Sequence, residues 1–155
     1  MADNHPSLQA RFRRLPVAVR ERAKQVLQTN AHDLVREIVR NVPKDEGELA
    51  ASIRWVWGPP PEGTFALGQV SARELTDIAI TVVAGNEATM VTNSRGVKFQ
   101  NAFLQEYGTK ARARGGKNRM PANPYFRPAY RKLRARFRLR MAREINKVIR
   151  ETWDG

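Results

Sequence analysis

Residues 77–93, DIAITVVAGNEATMVTN, decide the fold. In the first half, Ile78, Ile80 and Val82 alternate with Ala79, Thr81 and Val83, the two-residue period of a β-strand over Asp77 to Ala84. Gly85-Asn86-Glu87 supplies a turn, and Thr89-Met90-Val91-Thr92-Asn93 a second β-favouring run, so the stretch predicts an antiparallel hairpin. Upstream, Ile53-Arg54-Trp55-Val56-Trp57 predicts another strand. Gly58 and Pro59-Pro60-Pro61 end it, because consecutive prolines cannot donate to a ladder. Residues 58–76 then read as a mobile loop. Downstream, Asn93-Ser94-Arg95-Gly96 reads as a turn and Phe99 to Tyr107 as a short helix that Gly108 terminates as a C-cap.

Two long amphipathic segments flank this small sheet. Val19, Ala23, Val26, Leu27, Leu34, Ile38 and Val42 recur at steps of three and four, which predicts a helix over about 16–42 between Pro16 and Pro43. Pro43-Lys44-Asp45-Glu46-Gly47-Glu48-Leu49 reads as an acidic turn leading toward the first strand. At the other end, Ala129, Leu133, Phe137, Met141, Ile145, Val148 and Ile149 form the apolar stripe of a helix from about Pro128 to Thr152. Between them, residues 110–124 hold Gly115-Gly116, Pro121 and Pro124 among basic side chains and read as a second mobile loop. No internal repeat is visible. The fold class is α+β: a long N-terminal helix, a small antiparallel sheet and a long basic C-terminal helix, with helices packed on one sheet face. At 155 residues the chain reads as a single domain over residues 1–155.

Composition removes several classes of chemistry. There is no cysteine, which excludes disulfides, thiol nucleophiles and cysteine-held metals, and only His5 and His32 are available for any histidine site. The polar start, with Asp3 and His5, does not read as a secretory signal, and the most apolar run, Ile78 to Gly85, is strand-sized rather than membrane-spanning. A soluble, intracellularly made protein with no membrane partner is the expectation. Gly116-Lys117 lacks a phosphate loop's first glycine, with Ala111 in its place, and its magnesium-holding hydroxyl, with Asn118 in its place. Asp45, Glu46 and Glu48 are acceptable magnesium ligands for a nuclease, but beside a helix end and Gly47 they read more simply as a solubilised turn. No enzyme, cofactor or metal is expected.

Charge is distributed unevenly. Residues 110–150 carry fifteen basic side chains and one acidic one, Glu144, whereas residues 1–109 are almost neutral within a chain of net charge +13. That asymmetry fits a polyanion, an acidic partner or a solvated helix face. Glu106, a lone carboxylate beside the arginine-rich segment, is expected to form an ion pair, within the chain or across a subunit boundary.

Three segments, in order, resemble the tail-completion or head–tail joining proteins of long-tailed bacteriophages and related gene-transfer particles. They are Pro43-x-x-x-Gly47-x-Leu49-x-x-Ser52-Ile53, Ala102-Phe103-Leu104-Gln105-Glu106-Tyr107-Gly108-Thr109, and Pro124-Tyr125-Phe126-Arg127-Pro128-Ala129. The chain departs from the pattern at Asn101, where the family tends to have tyrosine, and at Tyr125, an extra residue before Phe126 and Arg127. The resemblance spans roughly residues 10–150.

The resemblance implies a structural virion protein, made in the bacterial cytoplasm. It would form a ring of identical subunits, typically six, at the head-proximal end of the tail, or act as a neighbouring neck component. Its partners would be further copies of itself, the tail tube protein and the head connector or stopper. The matching residues Glu106, Tyr107, Gly108, Thr109, Tyr125, Phe126 and Arg127 become candidate subunit or partner contacts, although Tyr107 and Phe126 read more simply as core anchors at the loop ends. Lys110, Arg112, Arg114, Lys117 and Arg119 become candidates for contact with DNA in the channel or with acidic neighbours. The alternative is a free-standing, sequence-independent nucleic-acid-binding protein, for which charge is the support.

Overall fold

The structure is a computed structural model that describes residues 17–70, 78–109 and 120–153. Helix α1, Val17–Asn41, has the expected bounds. Its inward face carries Val19, Ala23, Val26, Leu34 and Ile38, all buried. Pro43 stops it two residues past the end, where Val42 N–H still donates to Ile38 O at 3.1 Å. The acidic turn then continues into a short helix, α2, Gly47–Ser52, where the sequence pattern indicates only a turn leading toward the first strand. Leu49 drives it, being fully buried while Glu48 faces out.

Strand β1, Arg54–Trp57, ends at Gly58 and the prolines as expected. The loop assigned to residues 58–76 needs correction. Phe65–Val70 form strand β2, while residues 71–77 lie outside the described ones. A bulge between Ala66 and Gly68 breaks the period of two and hides the strand in the sequence. Strand β3, Ile80–Ala84, lies at the centre of a three-stranded antiparallel sheet of order β1-β3-β2. Its partners are Trp55↔Val82 on one side and Phe65↔Ala84 on the other. With neighbours on both edges, all five of its residues are buried.

The expected hairpin between β3 and the run after it therefore does not form. A short 3₁₀ turn, Glu87–Thr89, intervenes, with Asn86 and Thr89 capping each other reciprocally. Strand β4, Met90–Thr92, pairs instead with β5, Lys98–Gln100, across the turn at Asn93–Gly96. That second hairpin takes the first residues of the predicted short helix, so α3 spans Asn101–Tyr107. Gln100 fastens it to the body: its amide donates to Asn86 O and Gly63 O, and its carbonyl accepts from Thr89 Oγ1 at 2.8 Å.

Helix α4, Phe126–Trp153, lies antiparallel to α1, the most extensive pairing among the described elements. Cross-helix pairs fix the register: Lys132 with Glu37 at 2.6 Å, Arg140 with Asp33 at 2.9 Å and Arg22 with Glu144 at 3.6 Å. Both helices cover the sheet face that carries Val82 and Ala84, and Leu34, Ile38, Val42, Leu49, Leu67, Ala129 and Leu133 complete the core. The architecture is α+β, as the sequence indicates. No described helix is long and apolar enough to cross a membrane.

The Glu37 carboxyl is held below its ordinary pKa, chiefly by the hydrogen bond from Lys132. A lowered folded-state pKa contributes stability that is present above the unfolded value and lost as pH falls through the folded one. Acid titration of the Glu37→Gln variant should therefore show a smaller loss of stability between neutral pH and the acid range than the parent. Lys132 is exposed, so the difference is expected to be small.

Candidate subunit interface

Helix α3 turns two different faces to its surroundings. Ala102, Gln105 and Glu106 are buried, and Phe103 and Tyr107, four residues apart on the other face, are 45% and 44% exposed. The inward polar groups are all engaged. Glu46, ahead of α2, accepts from Asn101 Nδ2 at 2.6 Å and from Gln105 Nε2 at 2.8 Å, joining α2 to α3.

Glu106 departs from its expected role. It is 3% exposed and accepts main-chain bonds from Tyr125 N–H and Phe126 N–H, each at 2.9 Å, and from Arg127 N–H at 3.2 Å. The next residue, Pro128, has no N–H. A single carboxylate thus satisfies the donors that the start of α4 would leave unpaired, in the region where the helix dipole favours negative charge. The expected ion pair is replaced by this cap, because burial rewards an acceptor that meets several main-chain donors at once.

Tyr125 and Tyr107 also exchange their anticipated roles. Tyr125 is the largest fully buried side chain among the described residues, and its hydroxyl donates to Ala102 O at 2.9 Å. Burial, reinforced by the nearby Glu106 charge, pushes that hydroxyl's pKa well up. Removing only the hydroxyl, in Tyr125→Phe, should cost about 0.5–1.5 kcal/mol, the net worth of one buried hydrogen bond to a carbonyl that keeps its place in α3. Urea unfolding reads that loss; a change under about 0.5 kcal/mol would sink the assignment.

Tyr107 faces solvent and anchors a surface cluster. Phe65, Phe103 and Tyr107 have ring centroids 5.0–6.2 Å apart, and the Arg127 guanidinium lies 5.0 Å from the centroid of the Tyr107 ring. Phe126 is half-buried, stacks on Tyr130 at 5.8 Å and approaches Gly68 of β2 closely. Further exposed apolar side chains, Val91, Val97 and Phe99, sit on the β4–β5 hairpin.

Gly108 and Thr109 fix the loop end. Gly108 adopts φ +67°, and its N–H donates to Leu104 O at 2.7 Å. Thr109 N–H donates to Met120 O at 3.0 Å, and Met120 N–H donates back to Thr109 Oγ1 at 2.9 Å. Lys110, Arg112, Arg114, Lys117 and Arg119 lie outside the described residues. The structure thus brings seven of the candidates together but divides their work. Glu106 and Tyr125 build the surface from below, Gly108 and Thr109 set its edge, and Tyr107 and Arg127 present it with Phe126 beside them. Phe103 and Phe65 join the cluster in addition to the candidate contacts that the sequence motifs mark. The four-residue spacing of Phe103 and Tyr107 was a signal for the first; the bulge in β2 concealed the second.

The distinguishing surface of this α+β fold is an aromatic face of the kind that proteins use to contact one another. The family model described as "Bacteriophage HK97-gp10, putative tail-component" matches residues 7–108, more than half of the chain, and the protein belongs to that family of phage tail components. No curated protein and no solved structure matches the chain. The family match ends at Gly108 and so includes α3 and its aromatic face but not α4.

Proposed function

We propose that this tail component forms a ring of identical subunits, six in number, at the head-proximal end of the tail, where it completes the tube and joins it to the head connector. The observation that carries the reading is the aromatic face on α3, which lies within the family-matched part of the chain and leaves Phe103 and Tyr107 each nearly half exposed. A ring needs a head-to-tail interface that closes, and exposed aromatics beside an arginine are favoured anchors for such a contact. The tail tube protein on one side and the head connector on the other are the neighbours this placement requires.

Negative-stain imaging of particles assembled with and without the protein tests it. Finished tails that stay unjoined to filled heads in its absence are the expected result. Normally joined particles would overturn the reading and favour a free-standing nucleic-acid-binding role. A subtler version uses Phe103→Asp, which loses its ring contacts with Phe65 and Tyr107 and should lower the urea midpoint only modestly, with the protein still folded, yet fail to restore joining. Full restoration by that variant would remove the aromatic face from the interface.

A further inference from the structure

Helix α4 has a second face that no described element covers. Its inward side is spent on Ala129, Leu133 and Val148, with Arg140 turned to Asp33. On the opposite side, Ala135, Leu139, Ala142 and Asn146 are all exposed, Leu139 by 72%. They follow one another at alternating steps of four and three, the spacing of a helix-packing seam. Arginines border this seam on both sides: Arg136, Arg143 and Arg150 along one, Arg131 and Arg138 along the other. Among the described residues no carboxylate forms an ion pair with Arg131, Arg136, Arg138 or Arg150, and Arg143 reaches only its neighbour Glu144, at 3.6 Å.

We propose that this face docks an acidic amphipathic helix of another particle protein, seated on Ala135, Leu139 and Ala142 between the two rows of arginine. The small alanines allow close approach, and Leu139 supplies the central apolar contact. The seam runs about 16 Å from Ala135 to Asn146, three turns of helix. The charges select the occupant. A second copy of the same face, parallel or antiparallel, sets arginine against arginine and is disfavoured. Carboxylates flanking the partner's seam meet guanidinium groups in paired hydrogen bonds. Duplex DNA would use the arginines but draws nothing from an exposed leucine between them. The proposal is independent of the ring reading, since a joined particle can form with or without this contact.

The test uses the full chain and three probes: a designed helical peptide with a Leu/Ala seam flanked by glutamate, a peptide of identical composition with the seam scrambled, and a short DNA duplex. Fluorescence anisotropy should show the seam peptide binding about tenfold or more tighter than the scrambled one. Leu139→Ser should weaken the seam peptide about tenfold and leave duplex binding unchanged, consistent with losing one buried leucine. The triple change Arg136→Ala, Arg143→Ala, Arg150→Ala should weaken it further. All four positions are exposed, and an unchanged urea midpoint confirms an intact fold. Equal binding of the two peptides, no effect of Leu139→Ser, or self-association in sedimentation that Leu139→Ser abolishes would each overturn the proposal.

Discussion

Glu106→Ala should destabilise the protein by about 3 kcal/mol or more, a large share of the 5–15 kcal/mol that holds a typical domain together. The truncation leaves the N–H groups of Tyr125, Phe126 and Arg127 without their acceptor, at a site where Glu106 is almost completely enclosed. Each buried donor left unpaired costs about 1–3 kcal/mol, and the favourable interaction with the helix end is lost as well. Glu106→Gln separates the two contributions. It keeps one acceptor oxygen and loses the charge, so it should cost roughly half as much. Arg127→Ala is the control, removing an exposed stacking contact while leaving its main-chain N–H in place. It should cost under about 1 kcal/mol. Urea denaturation of the three variants decides the matter. A loss below about 1 kcal/mol for Glu106→Ala would mean that α4 begins equally well without its cap.

Gly108→Ala is the second change expected to be severe. Gly108 sits at φ +67° and ψ −172°, a region that side chains avoid at a cost of about 1–3 kcal/mol. The added methyl would also meet main-chain atoms rather than a movable side chain: Ala122 N at 2.6 Å and Met120 O at 2.7 Å. Both effects must be relieved together, so a loss of about 3 kcal/mol or failure to accumulate as folded protein is expected. Gly63→Ala offers the comparison. Its φ is +74°, but a methyl there meets nothing within 4 Å, so only the backbone strain of about 1–2 kcal/mol applies. Equal losses in the two variants would show that the Met120–Ala122 strand of chain yields easily.

How much of this was legible in the sequence follows from the range of each signal. The two long helices announce themselves through local periodicity: seven apolar positions define α1, and its observed bounds agree to within a residue. β3 is visible because alternation is intrinsic to the strand. Its pairing is not, since the choice between β1, β2 and the nearby β4 depends on contacts that no local pattern records. β2 escaped because the bulge at Ala66–Gly68 shifts its period partway along. The candidate site divides in the same way. Its segments stood out as 102–109 and 124–129, but the bond that unites them crosses about twenty positions of chain, from Glu106 to Tyr125, Phe126 and Arg127. A lone acidic residue beside many arginines suggests a salt bridge, and nothing local says that main-chain donors will claim it first. Which of Tyr107 and Tyr125 is buried was equally hidden, because α3 is only seven residues long and has room for one inward face.

The α1–α4 pairing has a consequence for synthesis. The apolar stripe of α1 is complete once Asn41 has been made, but the helix that covers it ends at Trp153, about 110 residues later. At about 5–20 residues per second, α1 must wait on the order of 6–20 s for its partner. During that interval Val19, Ala23, Val26 and Ile38 have no α4 to bury them. The nascent chain is therefore a natural client for chaperones, and an early stop anywhere before α4 leaves a product with a sticky, half-covered helix. Truncations that remove α4 should accumulate as aggregates rather than as a smaller soluble domain.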